Sequence, residues 1–285
     1  MLVEAHKKLP PWFKVRLTMG DGFKIVQKQI HSHKLHTVCQ SAACPNRNEC
    51  WNAGTATFMI MGNVCTRGCR FCNISAGIPH ALDNEEPERV ARAVAELGLK
   101  YAVITSVTRD DLPDGGAEFI AAAIKAVRAM SPDCRVEVLI PDFCGSAESL
   151  KTVLNASPEV LNHNLETVPS LYPRVRPQAL YKRSLELLSR ARQFGATTKT
   201  GLMLGLGEGR DEVSSVMFDL RRVDCRILTL GQYLQPNRLS LPVEKYYSPD
   251  EFASIRTEAM SLGFKHVEAG PLVRSSYHAN NYCAE

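Results

Sequence analysis

The chain has 285 residues, 45% hydrophobic and 22% charged, with a formal net charge of +4. That is apolar material for one large domain, and the positive charge forms no long basic run, which argues against nucleic-acid binding and leaves at most a mild attraction to an acidic partner. Residues 1–8 lack the apolar core of a secretion signal and the longest apolar stretches, such as 56–61, are too short to span a bilayer, so a reducing cytoplasm is expected, where ten cysteines point to metal ligands or buried thiols rather than disulfides.

Residues 1–55 read as an irregular extension, with Pro10, Pro11 and Trp12 as an anchored arm and the first cysteines in a loop. From residue 56 near-continuous apolar runs at 56–62, 101–107, 135–143, 160–166, 198–205 and 227–234 read as buried parallel strands. Helical periods fall between them at 88–97, 117–130, 146–155, 181–193 and 211–222. A last helix opens on Ser248-Pro249-Asp250-Glu251, which combines an N-cap, a proline at the first helical position and a capping-box glutamate, and Gly263 suits its C-terminal end. Six β/α units in series predict an α/β fold, a partial parallel (β/α)6 TIM-type barrel, with a doubly wound sheet as the rival. The expected division is an N-terminal cluster-binding extension over 1–55, the barrel over 56–264 and a C-terminal tail over 265–285.

Two cysteine triplets carry the chemistry. Cys39, Cys44 and Cys50 have C-x4-C-x5-C spacing, and Cys65, Cys69 and Cys72, directly after the first barrel strand, have C-x3-C-x2-C spacing. Each is one thiolate short of a closed four-ligand site. A [4Fe–4S] cubane held by three thiolates keeps one iron open for another ligand, whereas zinc would want a fourth protein ligand. An electron carrier or a structural zinc protein is the competing class. Arg109, Asp110, Asp111, Asn164, Glu166, Lys199 and Glu208 lie at or beyond strand ends, where barrel enzymes bind ligands; a solvated loop or structural hydrogen bond is the alternative for each. The glycines at 201, 205, 207 and 209 do not form a dinucleotide motif and read as a tight turn. Cys134, Cys144 and Cys225 read as buried thiols, Cys283 as incidental, and His31, His33 and His36 as surface residues.

The second triplet, placed after the first strand of a β/α barrel, resembles the radical S-adenosylmethionine superfamily. The resemblance implies that the open iron takes the amino and carboxylate groups of S-adenosylmethionine and that Phe71 lies against the adenine. The first triplet, within C-x4-C-P-N-x2-E-C-W, resembles the lipoyl synthase family. So do Pro11-Trp12 with Lys14-Val15-Arg16, the segments 57–62, 109–116, 162–168 and 201–208, and Arg274-Ser275-Ser276-Tyr277-His278. The likeness spans nearly the whole chain. It implies a second, auxiliary [4Fe–4S] cluster on Cys39, Cys44 and Cys50, with a serine as fourth ligand, Ser276 in preference to Ser275. It also implies a sulfurtransferase that inserts two sulfur atoms at C6 and C8 of a protein-bound octanoyl-lysine, with the auxiliary cluster as sulfur donor. S-adenosylmethionine contacts are expected from Arg109, Asp110, Asn164, Glu166 and Lys199. The implied partners are octanoylated lipoyl-carrier domains, an electron donor such as ferredoxin or flavodoxin, and a cluster-delivery protein.

Overall fold

The computed structural model describes residues 9–14 and 20–280. The polar start at 1–8, Val15, Arg16 and Cys283 lie outside the described residues.

The extension is mostly helical rather than irregular. Helix α1 (Asp21–Ser32) puts Phe23, Val26 and Ile30 on one buried face, an i, i+3, i+7 spacing. After the short strand β1 (His36–Thr37) come α2 (Val38–Ser41) and α3 (Arg47–Asn52). Cys39 lies on α2 and Cys50 on α3, so two of the first triplet's cysteines stand on helical turns, with Cys44 on the loop between them as expected. The Asn52 side chain accepts hydrogen bonds from the Gly20 and Phe23 amides at 2.8 and 3.3 Å, capping α1 from another helix. A Cβ at Gly22 would come within 2.3 Å of the Asn52 carbonyl oxygen, so α1 and α3 pack backbone to backbone there. The arm is anchored by Phe13, which packs on Tyr246 at 5.6 Å, while Trp12 is exposed.

Strand β2 (Thr57–Ile60) begins the barrel, and β3 (Val64–Cys65) pairs with β4 (Ser75–Ala76) as a separate ribbon around the second triplet. Then follow α4 (Glu86–Glu96), β5 (Tyr101–Ser106), α5 (Ala117–Met130), β6 (Arg135–Leu139), α6 (Ala147–Asn155), β7 (Val160–Asn162), α7 (Tyr172–Val175), α8 (Tyr181–Gln193), β8 (Thr198–Leu204), α9 (Arg210–Arg222), β9 (Ile227–Gln232), α10 (Pro249–Ser261) and β10 (His266–Gly270). The sheet order is β1-β2-β5-β6-β7-β8-β9-β10, all neighbours parallel except β1 with β2. Six β/α units are thus followed by a seventh parallel strand, His266–Gly270, in the segment read as tail; its sequence HVEAG is polar enough at this sheet edge to hide its nature. Two strands are shorter than their apolar runs. β6 ends before Pro141, which cannot donate to a ladder. β7 ends at Asn162, and further along the run Glu166 takes a left-handed backbone (φ 69°) and keeps one isolated bridge to Leu202.

Alternation along β5 separates two environments. Ala102 and Ile104 join the main core under the helices, whereas Tyr101 and Val103 pack with Val160, Ile227 and Ala279. Above them Lys199 Nζ donates to both oxygens of Glu137, at 2.8 and 3.0 Å, and both side chains are wholly buried. Tyr101 and Asn162 donate to the same carboxylate at 2.8 and 3.1 Å. The barrel is therefore filled below its mouth, and any cavity must open at the C-terminal ends of the strands.

Candidate active site

Cys65, Cys69 and Cys72 line a cavity of about 490 Å³ at those strand ends. Cys65 Sγ accepts from the amides of Arg67 (3.4 Å) and Thr108 (3.3 Å), and Cys72 Sγ accepts from the Ile74 amide (3.4 Å). The loop is tied down by Gly68 N to Gln178 Oε1 (2.8 Å) and Arg70 N to the Val175 carbonyl (2.9 Å). Arg67, almost fully buried, donates to Asp110 at 2.6 and 2.8 Å and to the buried Asp142 at 2.6 Å. This fork joins the thiolate loop to the loops after β5 and β6.

Residues that flank the first triplet also line the cavity. Val38, Ala42, Ala43 and Pro45, which surround Cys39 and Cys44, form part of the wall, as do Val273, Arg274 and Ser275. The chain after β10 is strapped to this side. Asn46 donates to the Leu272 carbonyl at 2.7 Å, and the Tyr277 hydroxyl donates to Glu49 at 3.0 Å. Burial lowers the proton affinity of the Arg274 guanidinium, with the nearby Cys44 thiol acting the other way. The Ser275 hydroxyl accepts from Asn164 Nδ2 at 2.8 Å on the barrel side. A Cβ at Gly231 would come within 2.1 Å of the Val273 carbonyl oxygen, so this close passage of the chain over β9 needs a glycine.

Within each triplet, burial and neighbouring charge raise the proton affinity of two of the three thiols. Burial pushes the Cys50 thiol up to about 12, and the charges of Cys39 and Cys44 add to it. Burial pushes Cys72 up to about 11, with Cys69, Cys65 and Glu166 adding their charges and the Ile74 amide opposing. Cys39 and Cys69 move up for the same first reason. Among the described residues no three His, Cys, Asp or Glu side chains converge as ligands of a single ion.

Of the residues expected to touch a ligand, Phe71, Asn164 and Glu166 line the cavity. Asn164 Oδ1 is buried without a partner among the described residues, although its Nδ2 serves both Glu166 and Ser275, so the cavity wall holds an acceptor that is not used within the chain. Burial raises the Glu166 carboxyl, against the pull of Arg176. Arg109, Asp110 and Lys199 are not among the residues that line this cavity. Arg109 pairs with Asp111 (2.7 and 2.8 Å) while its Nη1 is buried without a partner among the described residues, Asp110 pairs with Arg67, and Lys199 pairs with Glu137. Glu208 holds its own turn, accepting from the Gly205 and Leu206 amides at 2.5 and 2.9 Å. Ser276 does not line the cavity. Cys134 and Cys225 are buried, but Cys144 is exposed, on a left-handed backbone (φ 51°) with its thiol 3.3 Å from Asp110. His33 is half-buried and reaches Glu96 at 3.1 Å.

Sequence reasoning missed Arg67 and Arg176, which both line the cavity. Arg176 donates to the Asn164 and Leu165 carbonyls at 2.8 and 3.1 Å, and its charge lies beside Cys69 and Glu166. The available signal was an arginine inside the cysteine loop and one shortly after the 162–168 segment.

Among known proteins, the family model of the radical SAM superfamily matches residues 59–220, and that of the N-terminal domain of lipoyl synthase matches residues 3–44. A lipoyl synthase of Rubrobacter xylanophilus is 55% identical over 95% of this chain and 85% of its own length. One of Roseiflexus sp. is 55% identical over 98% and 93%, and one of Chlorobium limicola is 51% identical over 98% and 96%. Among solved structures, methylornithine synthase superposes with a TM-score of 0.57 at 12% identity, covering 89% of this chain and 82% of that one. Streptococcus suis SuiB bound to S-adenosylmethionine does so at 0.57 and 10%, covering 84% and 58%. These two structures share the fold.

Proposed function

The chain belongs to the lipoyl synthase family of radical S-adenosylmethionine enzymes, and from that premise we propose a division of labour between its two cysteine triplets. It is a sulfur-inserting enzyme that uses S-adenosylmethionine and an iron–sulfur cluster and acts on an octanoylated protein. In our reading Cys65, Cys69 and Cys72 hold a [4Fe–4S] cluster whose open iron takes S-adenosylmethionine, and Cys39, Cys44 and Cys50 with Ser276 hold a second one. When bound, the first supplies the one-electron cleavage that starts hydrogen abstraction at C6 and C8 of octanoyl-lysine, and the second supplies the sulfur.

The observation that carries this reading is a single cavity whose wall holds one triplet together with residues flanking the other. Two centres facing one space can act on one carbon chain between them. Phe71 offers an apolar face to the adenine, Asn164 Oδ1 an unused acceptor, and Arg176 a cation beside Cys69. Met59, Leu139 and Met203 provide apolar wall for an octanoyl chain and exclude water. Ser275 is engaged with Asn164, which favours Ser276, the next residue on the same strap, as the oxygen ligand in our reading. A serine oxygen is a hard ligand for iron that favours thiolate, so it would release readily. The reaction further requires a one-electron donor such as ferredoxin or flavodoxin and a protein that rebuilds the consumed cluster, in a reducing cytoplasm.

The test is a single turnover of anaerobically reconstituted protein, carrying about eight irons per chain, with S-adenosylmethionine, reductant and an octanoyl-lysine peptide read by mass spectrometry. Gain of two sulfurs with formation of 5′-deoxyadenosine is expected. Deoxyadenosine without sulfur gain would overturn the donor assignment. Ser276→Cys is expected to lower sulfur insertion at least about tenfold while S-adenosylmethionine cleavage persists; unchanged insertion would remove Ser276 from the site.

A further inference from the structure

Leu239 is 98% exposed, yet the turn that carries it is fixed on both sides. Asn237 Oδ1 accepts from the Leu239 and Ser240 amides at 2.8 and 3.1 Å, and Gln235 Nε2 donates to the Ser240 carbonyl at 2.9 Å. Asn237 Nδ2 donates to Asn73 Oδ1 at 3.0 Å, and the Leu241 amide donates to the Arg70 carbonyl at 3.0 Å. A solvated leucine on a loose loop would signify little. On a turn already ordered, it offers a partner apolar area without the entropic cost of ordering the loop.

The turn sits on the rim of the cavity. Leu234, Gln235 and Pro236 line the cavity, and so does Asn73, whose amide also donates to the Ser41 carbonyl at 2.7 Å beside the first triplet. The rim is also positively charged there. Arg70 and Arg238 are exposed, and among the described residues neither has an acidic side chain within ion-pair distance. Elsewhere around the same loop the charges are matched, Arg174 with Glu244 at 2.9 Å and Lys245 with Glu251 at 2.6 Å. An octanoyl arm that enters the cavity brings its lysine backbone to this rim, so the domain that bears the lysine must cover it.

We infer that the Arg238–Leu239 turn is the docking contact for the octanoylated carrier domain, with Leu239 seated on an apolar spot and Arg238 and Arg70 facing carboxylates that flank the modified lysine. The inference rests on the proposed entry of an octanoyl-lysine arm into this cavity. Rim charges of this kind govern encounter rate and salt dependence, and the leucine governs the lifetime of the complex.

The experiment compares reconstituted wild-type enzyme with Leu239→Ser and Arg238→Glu on two substrates: an intact octanoylated carrier domain and a short octanoyl-lysine peptide with neutral flanks. KM for the carrier is expected to rise about tenfold in each variant, with kcat within about twofold and peptide turnover unchanged. Raising the salt should raise the wild-type carrier KM, and Arg238→Glu should flatten that dependence. Equal carrier KM in all three proteins overturns the inference while leaving the cavity's function intact. Equal losses on carrier and peptide overturn it too, because the damage then lies in the cavity. A self-association seen by sedimentation in the wild type and abolished by Leu239→Ser would assign the turn to a second copy of the chain and overturn it. Wild-type enzyme that converts neither substrate would sink the proposed function, and this inference with it.

Discussion

Replacing Lys199 by methionine separates two accounts of the same residue. From the sequence it is a ligand contact at a strand end; in the structure its ammonium lies below the cavity, 2.8 and 3.0 Å from the Glu137 oxygens, with both side chains wholly buried. At an effective dielectric constant of about 20, charges 2.8 Å apart attract by roughly 6 kcal/mol, and the cost of desolvating them offsets much of that. Removing one partner leaves a buried carboxylate with only the Tyr101 and Asn162 donors, 2.8 and 3.1 Å away, to replace that attraction. Lys199→Met should therefore destabilise the protein by about 3–5 kcal/mol, a fall in Tm of roughly 10 °C for a chain of this size. Glu137→Gln added to Lys199→Met removes the orphaned charge and should recover most of the loss. The assay is thermal unfolding followed by circular dichroism, paired with S-adenosylmethionine affinity in the reconstituted enzyme. A variant that keeps its Tm but loses S-adenosylmethionine binding would refute the reasoning and return Lys199 to the ligand.

Three further outcomes follow from the geometry. His163, buried between the Ile140 carbonyl (2.8 Å) and Ser184 (2.9 Å), is held down to about 4 by burial, with the Arg176 charge adding. It binds fewer protons folded than unfolded between 6.5 and about 4, so its contribution is complete above 6.5 and is lost as pH falls through that window, about 3 kcal/mol in all; urea unfolding at pH 7 and pH 5 should show a steeper loss in wild type than in His163→Gln. Arg67→Ala leaves the buried Asp142 with Arg183 at 3.3 Å as its remaining cation and unties the cysteine loop, so stability should drop by about 3 kcal/mol and iron bound at the second triplet should fall; full iron loading would show that the loop holds its shape without the fork. Gly231→Ala pushes a methyl group against the Val273 carbonyl, and hydrogen exchange over residues 271–279 should rise while sulfur insertion falls more than S-adenosylmethionine cleavage; unchanged exchange would show that the strap absorbs the clash.

What could be read from the sequence was what local chemistry decides. Helices Ala117–Met130 and Tyr181–Gln193 stand where their periodicity puts them, and α10 carries both halves of its capping box, Glu251 N to Ser248 Oγ at 3.2 Å and Ser248 N to Glu251 Oε2 at 2.8 Å. The spacing of Phe23, Val26 and Ile30 was present too, but the helix they mark is capped by Asn52 from another helix, a contact with no local trace. Strand β10 was hidden because an edge strand buries little, with Val267 as its buried residue. In the site the cysteine spacings were decisive. Charged residues at strand ends were less so, since such a side chain can turn either to a ligand or to a neighbour, and here Arg109 pairs with Asp111 and Asp110 with Arg67. The left-handed backbone at Glu166, which carries its carboxylate to the cavity wall, has no signature in residue type.

The barrel's open side gives the first triplet a mechanical meaning. Its cysteines follow β1, which borders one edge of the sheet, and the two serines follow β10, which forms the other. A cluster shared between them would act as a clasp across a gap that the backbone ladder leaves unbridged. The hydrogen bond that already spans this seam, Asn46 to Leu272, joins residues 226 apart in sequence, and a chemical link closing a loop of that length is worth about 5 kcal/mol by chain entropy alone. On the proposed reading, drawing sulfur from such a clasp would loosen the enzyme as it works and leave this seam open.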